Sequence, residues 1–123
     1  MPRVLVVEDN PVNLELVTAL LEQAGCQVRS ADSAAAALQL LASERPDLIL
    51  MDVQLPGMTG YEATRRLKAD PATAAIPVVA ITAQAMQGEE ATARAAGCDA
   101  YLTKPLETQA FRELLRRFVG DRR

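Results

Sequence analysis

Short apolar runs alternate along this chain with longer stretches of helical period. Val4-Leu5-Val6-Val7, Leu48-Ile49-Leu50-Met51 and Val78-Val79-Ala80-Ile81 are apolar at every position. A strand reads that way when helices cover both faces of a parallel sheet, because neither face then meets water. Cys26-Gln27-Val28-Arg29 alternates instead, which suits an edge strand, and Ala100-Tyr101-Leu102 is short enough for the opposite edge. Helices fit the gaps. Leu14, Val17, Leu20 and Leu21 form an apolar face after Pro11, Ala34, Ala37, Leu38 and Leu41 form a second, and Phe111, Leu114, Leu115 and Phe118 a third. Gly25 and Gly97 follow the first and fourth helical stretches, where a left-handed cap favours glycine, and Pro46 and Pro77 stand just before strands.

The stretch from Met86 to Ala96 is mostly Gln, Glu, Thr, Arg and Ala, with little apolar surface to anchor it. It reads as a weakly held helix, the kind of element that moves in a switch. Strand then helix, repeated through the chain, specifies an α/β fold with a doubly wound parallel sheet. The length of 123 residues suits one domain over residues 1–123, large enough to fold without disulfides or a structural metal. Met1 followed by Pro2-Arg3-Val4 reads as a natural start.

Composition narrows the function. The net charge of −3 argues against nucleic acid or an anionic membrane as the partner. No apolar stretch is long enough to cross a bilayer, and the run Val4–Val7 stops at Glu8-Asp9 before it could serve as a secretory signal. Cys26 and Cys98 lack metal-ligand spacing and read as small buried hydrophobes in a reducing compartment, so the expected location is the cytoplasm. The chain has no histidine, which removes Ser-His and Cys-His dyads, histidine metal sites and phosphohistidine. Arg116, Arg117, Arg122 and Arg123 form a basic cluster whose simplest role is to complement a helix C-terminus.

The informative polar residues stand where the strands end. Glu8-Asp9 follows the first strand, Asp52 ends the third, Thr82 ends the fourth and Lys104 follows the fifth. Open α/β sheets build their sites at this carboxyl edge. Alone, each has a plainer role: an acid as a helix cap, Thr82 as a capping hydroxyl, Lys104 as a surface group. Together they crowd carboxylates whose repulsion a divalent cation would relieve, and an all-oxygen donor set favours Mg²⁺ or Mn²⁺ over zinc. Asp52 is then the nucleophile for a phosphoryl group, with Lys104 and Thr82 as partners of its oxygens. No general base is needed, since the carboxylate is already ionised.

The segments Val4–Asn10, Pro46–Gly60, Ile76–Ala83 and Gly97–Pro105 resemble the receiver domain of two-component response regulators over essentially the whole chain. The resemblance implies a flavodoxin-like (βα)₅ fold with strand order 2-1-3-4-5. It implies transfer to Asp52 from a phosphohistidine on a histidine kinase or histidine phosphotransfer protein. It further implies that Asp9 and Asp52 hold Mg²⁺ directly, Glu8 through water, and the carbonyl of Gln54 as a further ligand. The Lys104-Pro105 bond is expected to be cis, aiming the lysine inward. Thr82 and Tyr101 are the implied switch pair, altering the surface of the fourth helix, fifth strand and fifth helix for a downstream regulatory protein. Gln54 and Gln84 are implied to tune the acyl-phosphate lifetime.

Within the family the chain is similar to single-domain receivers of the DivK type. Receivers attached to hybrid histidine kinases carry nearly the same strings, so a module of such a kinase is the alternative. A Mg²⁺-dependent aspartate-nucleophile phosphatase is a further one, though that class expects its nucleophile after the first strand in an Asp-x-Asp pattern, and here Asp9 is followed by Asn10-Pro11. The expected role is therefore a phosphoacceptor that catalyses only its own phosphotransfer and dephosphorylation, and not a conventional enzyme.

Overall fold

The computed structural model describes residues 1–83 and 88–120. Strands and helices alternate as β1 (Arg3–Val7), α1 (Pro11–Gln23), β2 (Gln27–Ala31), α2 (Ala34–Leu41), β3 (Leu48–Asp52), α3 (Gly60–Ala69), β4 (Val78–Thr82), α4 (Glu89–Ala96), β5 (Ala100–Thr103) and α5 (Thr108–Val119). The strands pair in parallel, in the order β2-β1-β3-β4-β5. This is the flavodoxin-like, doubly wound arrangement.

The continuous apolar runs now have a physical cause. Successive side chains of a strand point to opposite faces. Leu5, Val7, Ile49, Met51, Val78 and Ala80 pack on one face with Ala34, Ala37, Ala63, Leu67 and Ala93 from α2, α3 and α4. Val4, Val6, Leu48, Leu50, Val79 and Ile81 pack on the other with Val17, Leu21, Phe111, Leu114 and Leu115 from α1 and α5. Each Val, Leu, Ile, Met or Phe among them contributes about 1.5–3 kcal/mol by leaving water, and each alanine less. The middle strands therefore have room for polar groups only at their ends, and the site lies there.

The β2 strand begins one residue later than the alternation at Cys26 suggests. The Cys26 N–H donates to the Leu21 carbonyl (3.0 Å) and the Gly25 N–H to Glu22 (3.0 Å), with Gly25 at φ 87°. This is the bond pair that closes a helix on a left-handed glycine, and it takes the donor that a strand would need. The same pair recurs after α4, where Gly97 (φ 99°) donates to Arg94 and Cys98 to Ala93. Both cysteines are free and buried, each as the apolar residue after such a cap. Burial pushes both thiols above the ordinary range.

Of the expected fourth helix, α4 accounts for Glu89–Ala96 and buries only Ala93 and Ala96. Gln84, Met86, Arg122 and Arg123 lie outside the described residues. No described helix is long and apolar enough to cross a membrane.

Candidate functional site

Parallel pairing brings the ends of β1, β3, β4 and β5 to one edge of the sheet. Glu8 follows β1 and extends its ladder, its N–H donating to the Ala31 carbonyl at 3.0 Å. Asp52 is the last residue of β3 and Thr82 the last of β4. All three are nearly dry, with 4%, 5% and 4% of their surface exposed. Asp9 beside them is exposed to solvent. Lys104 follows β5, and its N–H donates to the Thr82 carbonyl at 2.8 Å. The Lys104–Pro105 peptide bond is cis.

Oxygen atoms of Glu8, Asp9 and Asp52, one from each carboxylate, lie within 4.8 Å of one another. The Lys104 ammonium stands 3.1 Å from Glu8 Oε1 and 3.5 Å from Asp52 Oδ2. Backbone donors hold the remaining oxygens: the Asn10 N–H donates to Glu8 Oε2 (3.2 Å) and the Gln54 N–H to Asp52 Oδ1 (3.2 Å). With only one ammonium among three carboxylates, the cluster carries excess negative charge when all are ionised.

The protein's own response to that charge is uneven. Burial, then the hydrogen bond to Glu8 and its charge, raise the Asp52 carboxyl to about 6 against the pull of Lys104 and the Gln54 N–H. Glu8 moves the other way. Burial opposes its ionisation, but the hydrogen bonds from Asp52, the Asn10 N–H and Lys104 outweigh that and lower its pKa. As pH falls, the metal-free pair thus takes up its first proton on Asp52 rather than on Glu8. The donor set suits a hard divalent cation: three carboxylates in one cluster, two of them almost without water, with neither nitrogen nor sulfur among them.

The structure thus gathers Glu8, Asp9, Asp52 and Lys104 by side-chain contact, Thr82 through the backbone of Lys104, and Gln54 through its N–H. Tyr101 stands apart on β5, half-buried and paired with Ala80, against the core face of α2, α3 and α4.

Some supporting groups had no assigned role in the sequence reading. Asn10 caps α1, its Oδ1 accepting from the N–H groups of Val12 (2.9 Å) and Asn13 (3.2 Å), while its own N–H orients Glu8. The signal was present, since Asn before Pro marks a helix start. The Tyr61 hydroxyl donates to Glu89 Oε1 and so ties α3 to the first turn of α4. Burial, then the Glu89 carboxylate, raise the Tyr61 phenol. That contact joins residues distant in sequence and has no local signature.

The chain matches the family model of the response regulator receiver domain over residues 4–116. It is 43% identical over 122 residues to the polar-differentiation response regulator DivK of Brucella anthropi, covering 98% of this chain and 99% of that one. Among solved structures it is similar to the receiver domain of sensor histidine kinase PA1611 from Pseudomonas aeruginosa PAO1. The TM-score is 0.89 and the identity 36%, over 97% of this chain and 98% of that one. That domain has a magnesium ion coordinated in its active-site cleft. Chemotaxis response regulator CheY4 of Vibrio cholerae also matches, with TM-score 0.89, 27% identity, and coverage of 96% of this chain and 98% of that one.

Proposed function

The chain belongs to the response regulator receiver domain family, a family of phosphorylation-dependent switches, and on that premise we propose that Asp52 is its phosphoacceptor. The observation that carries the reading is the convergence of three carboxylates and Lys104 at the carboxyl edge of the sheet. Glu8, Asp9 and Asp52 would hold Mg²⁺, with the Gln54 carbonyl as a further ligand. The ion supplies neutralisation of charge on the phosphoryl oxygens.

Family membership makes the donor a phosphohistidine of a kinase or phosphotransfer protein, and with no histidine among residues 1–123 that group lies outside them. An oxygen of the ionised Asp52 carboxylate forms the new bond to phosphorus as the phosphorus–nitrogen bond breaks. The electron pair leaves with the imidazole nitrogen, which takes up a proton. Lys104 then exchanges Glu8 for a phosphoryl oxygen, and the Thr82 hydroxyl donates to another. Exposed Val12 and Leu16, one turn apart on α1 beside the site, offer the donor an apolar foothold. Dephosphorylation is self-catalysed, and Gln54 stands beside Asp52 to influence its rate.

The output face is α4, β5 and α5, with Thr82 and Tyr101 as the switch pair. The weak anchoring of α4 on two alanines supports this. A bias of a few kcal/mol suffices to shift such an element between two arrangements. Free, buried cysteines fit the reducing cytoplasm in which the switch would work. The residues 1–123 act in this reading as one receiver unit. Likeness to the receiver of a sensor histidine kinase favours a second reading, a module of a hybrid kinase with the same chemistry at Asp52.

Acetyl phosphate with Mg²⁺ should label the parent chain once, on Asp52, and Asp52→Asn should not be labelled. Labelling of Asp52→Asn to the parent's extent would sink the assignment. Steady turnover of small phosphomonoesters would favour the phosphatase reading instead.

A further inference from the structure

Five of the chain's six glycines, Gly25, Gly57, Gly88, Gly97 and Gly120, have φ between 76° and 99°, where side chains are strained. Gly60 does not. It opens α3 in an ordinary conformation, where alanine is the better helix former. Backbone freedom therefore does not account for this glycine, and space does. A Cβ at Gly60 would lie 2.2 Å from the carbonyl oxygen of Asp52, 2.9 Å from its carbonyl carbon and 3.0 Å from Met51 Cγ. The nearest obstacle is backbone, which cannot swing aside as a flexible side chain can. The Gly60 N–H also donates to the Val53 carbonyl at 2.9 Å, so the first turn of α3 grips the chain on both sides of the Asp52–Val53 peptide bond.

Resting on the reading of Asp52 as phosphoacceptor, we propose that Gly60 is a positioning residue for that carboxylate. Its bare Cα seats α3 directly on the Asp52 main chain and fixes where the side chain meets Glu8, Lys104 and the Gln54 N–H. Any Cβ must push the Asp52 backbone by roughly an ångström, a misplacement that costs on the order of 100-fold in a positioned reaction. Gly57, in the same loop, provides a contrast, since a Cβ there meets nothing within 4 Å.

The test compares the full-length parent, Asp52→Asn, Gly60→Ala and Thr59→Ala. Thr59 caps α3 through Glu62 (3.2 Å), so Thr59→Ala weakens the same helix end without adding an atom against Asp52. Initial labelling by acetyl phosphate with Mg²⁺ is measured per folded molecule. Binding of the beryllofluoride phosphoryl mimic is followed by its fluorine resonance. Urea midpoints report stability. Gly60→Ala should label about 10–100-fold more slowly and bind the mimic correspondingly more weakly. Thr59→Ala, though destabilised, should match the parent in both. If Gly60→Ala is not folded in plain buffer, all four are measured in an excluded osmolyte that restores the fold. Gly60→Ala within about twofold of the parent, or Thr59→Ala equally slowed, assigns Gly60 a purely structural role and overturns the proposal. An unlabelled parent, or a labelled Asp52→Asn, overturns the acceptor reading and this proposal with it.

Discussion

At the scale of one residue, the buried Asp52 carboxyl shows how a polar group at a strand end opposes stability. Its carboxyl is raised to about 6 from an ordinary 3.8, by burial first and by Glu8 second. A raised acid binds protons more tightly in the folded state. Its stabilising contribution is therefore complete below about pH 4 and is lost as pH rises through about 6. At neutral pH the ionised group opposes folding of the metal-free protein. Asp52→Asn should then be more stable than the parent in chelator at pH 7.5, by about 3 kcal/mol, and the difference should vanish near pH 4. Urea unfolding of both proteins from pH 4 to 8 checks this, and a constant difference across that range would refute it.

Between α3 and α4 the question is what holds a helix with so little to bury. The alanines of α4 supply little apolar area, and its N-cap Gly88 makes no side-chain capping bond. The Arg94–Glu90 pair (3.0 Å) lies within the helix on its exposed surface and adds little. The Tyr61–Glu89 bond reaches another element and involves a charged acceptor, worth about 1.5–3 kcal/mol. Tyr61→Phe should therefore speed amide exchange in Glu89–Ala96 by about tenfold or more, leaving α1 and α5 as they were. Hydrogen exchange read by mass spectrometry tests it. Equal acceleration in all helices would indicate global destabilisation instead.

Across the whole molecule, the acidic cluster draws together segments that are remote in the chain. The Lys104–Glu8 contact spans 96 residues. A cation bound by Glu8, Asp9 and Asp52 would bind the folded state alone, because the unfolded chain does not gather these ligands. At a hundredfold excess over its dissociation constant, Mg²⁺ should add about 2.7 kcal/mol, roughly 10 °C in thermal midpoint for a chain of this size. Chelator should reverse the shift, and Asp52→Asn should lose most of it. Calorimetry with and without Mg²⁺ is the measurement, and an unchanged midpoint would contradict a metal site here.

The sequence by itself determined the fold and the candidate chemistry. Runs such as Val4–Val7 and Leu48–Met51 are apolar at every position because helices cover both faces, and that local record implies a parallel sheet. It follows that Asp52, Thr82 and Lys104 stand at one edge, since each ends or follows a strand. The sequence could also have assigned Asn10 its capping role, since helix starts are local. The tertiary structure alone decided how charge is shared within the cluster. Asp52 is easier to protonate than Glu8 and the ammonium leans toward Glu8, because both depend on burial and on distances between segments far apart in the chain. It alone decided that Cys26 belongs to a helix cap, that Tyr61 holds α4, and that Gly60 has no room for a methyl group. Periodicity records which face of an element is dry. It does not record which atom of another element lies against that face.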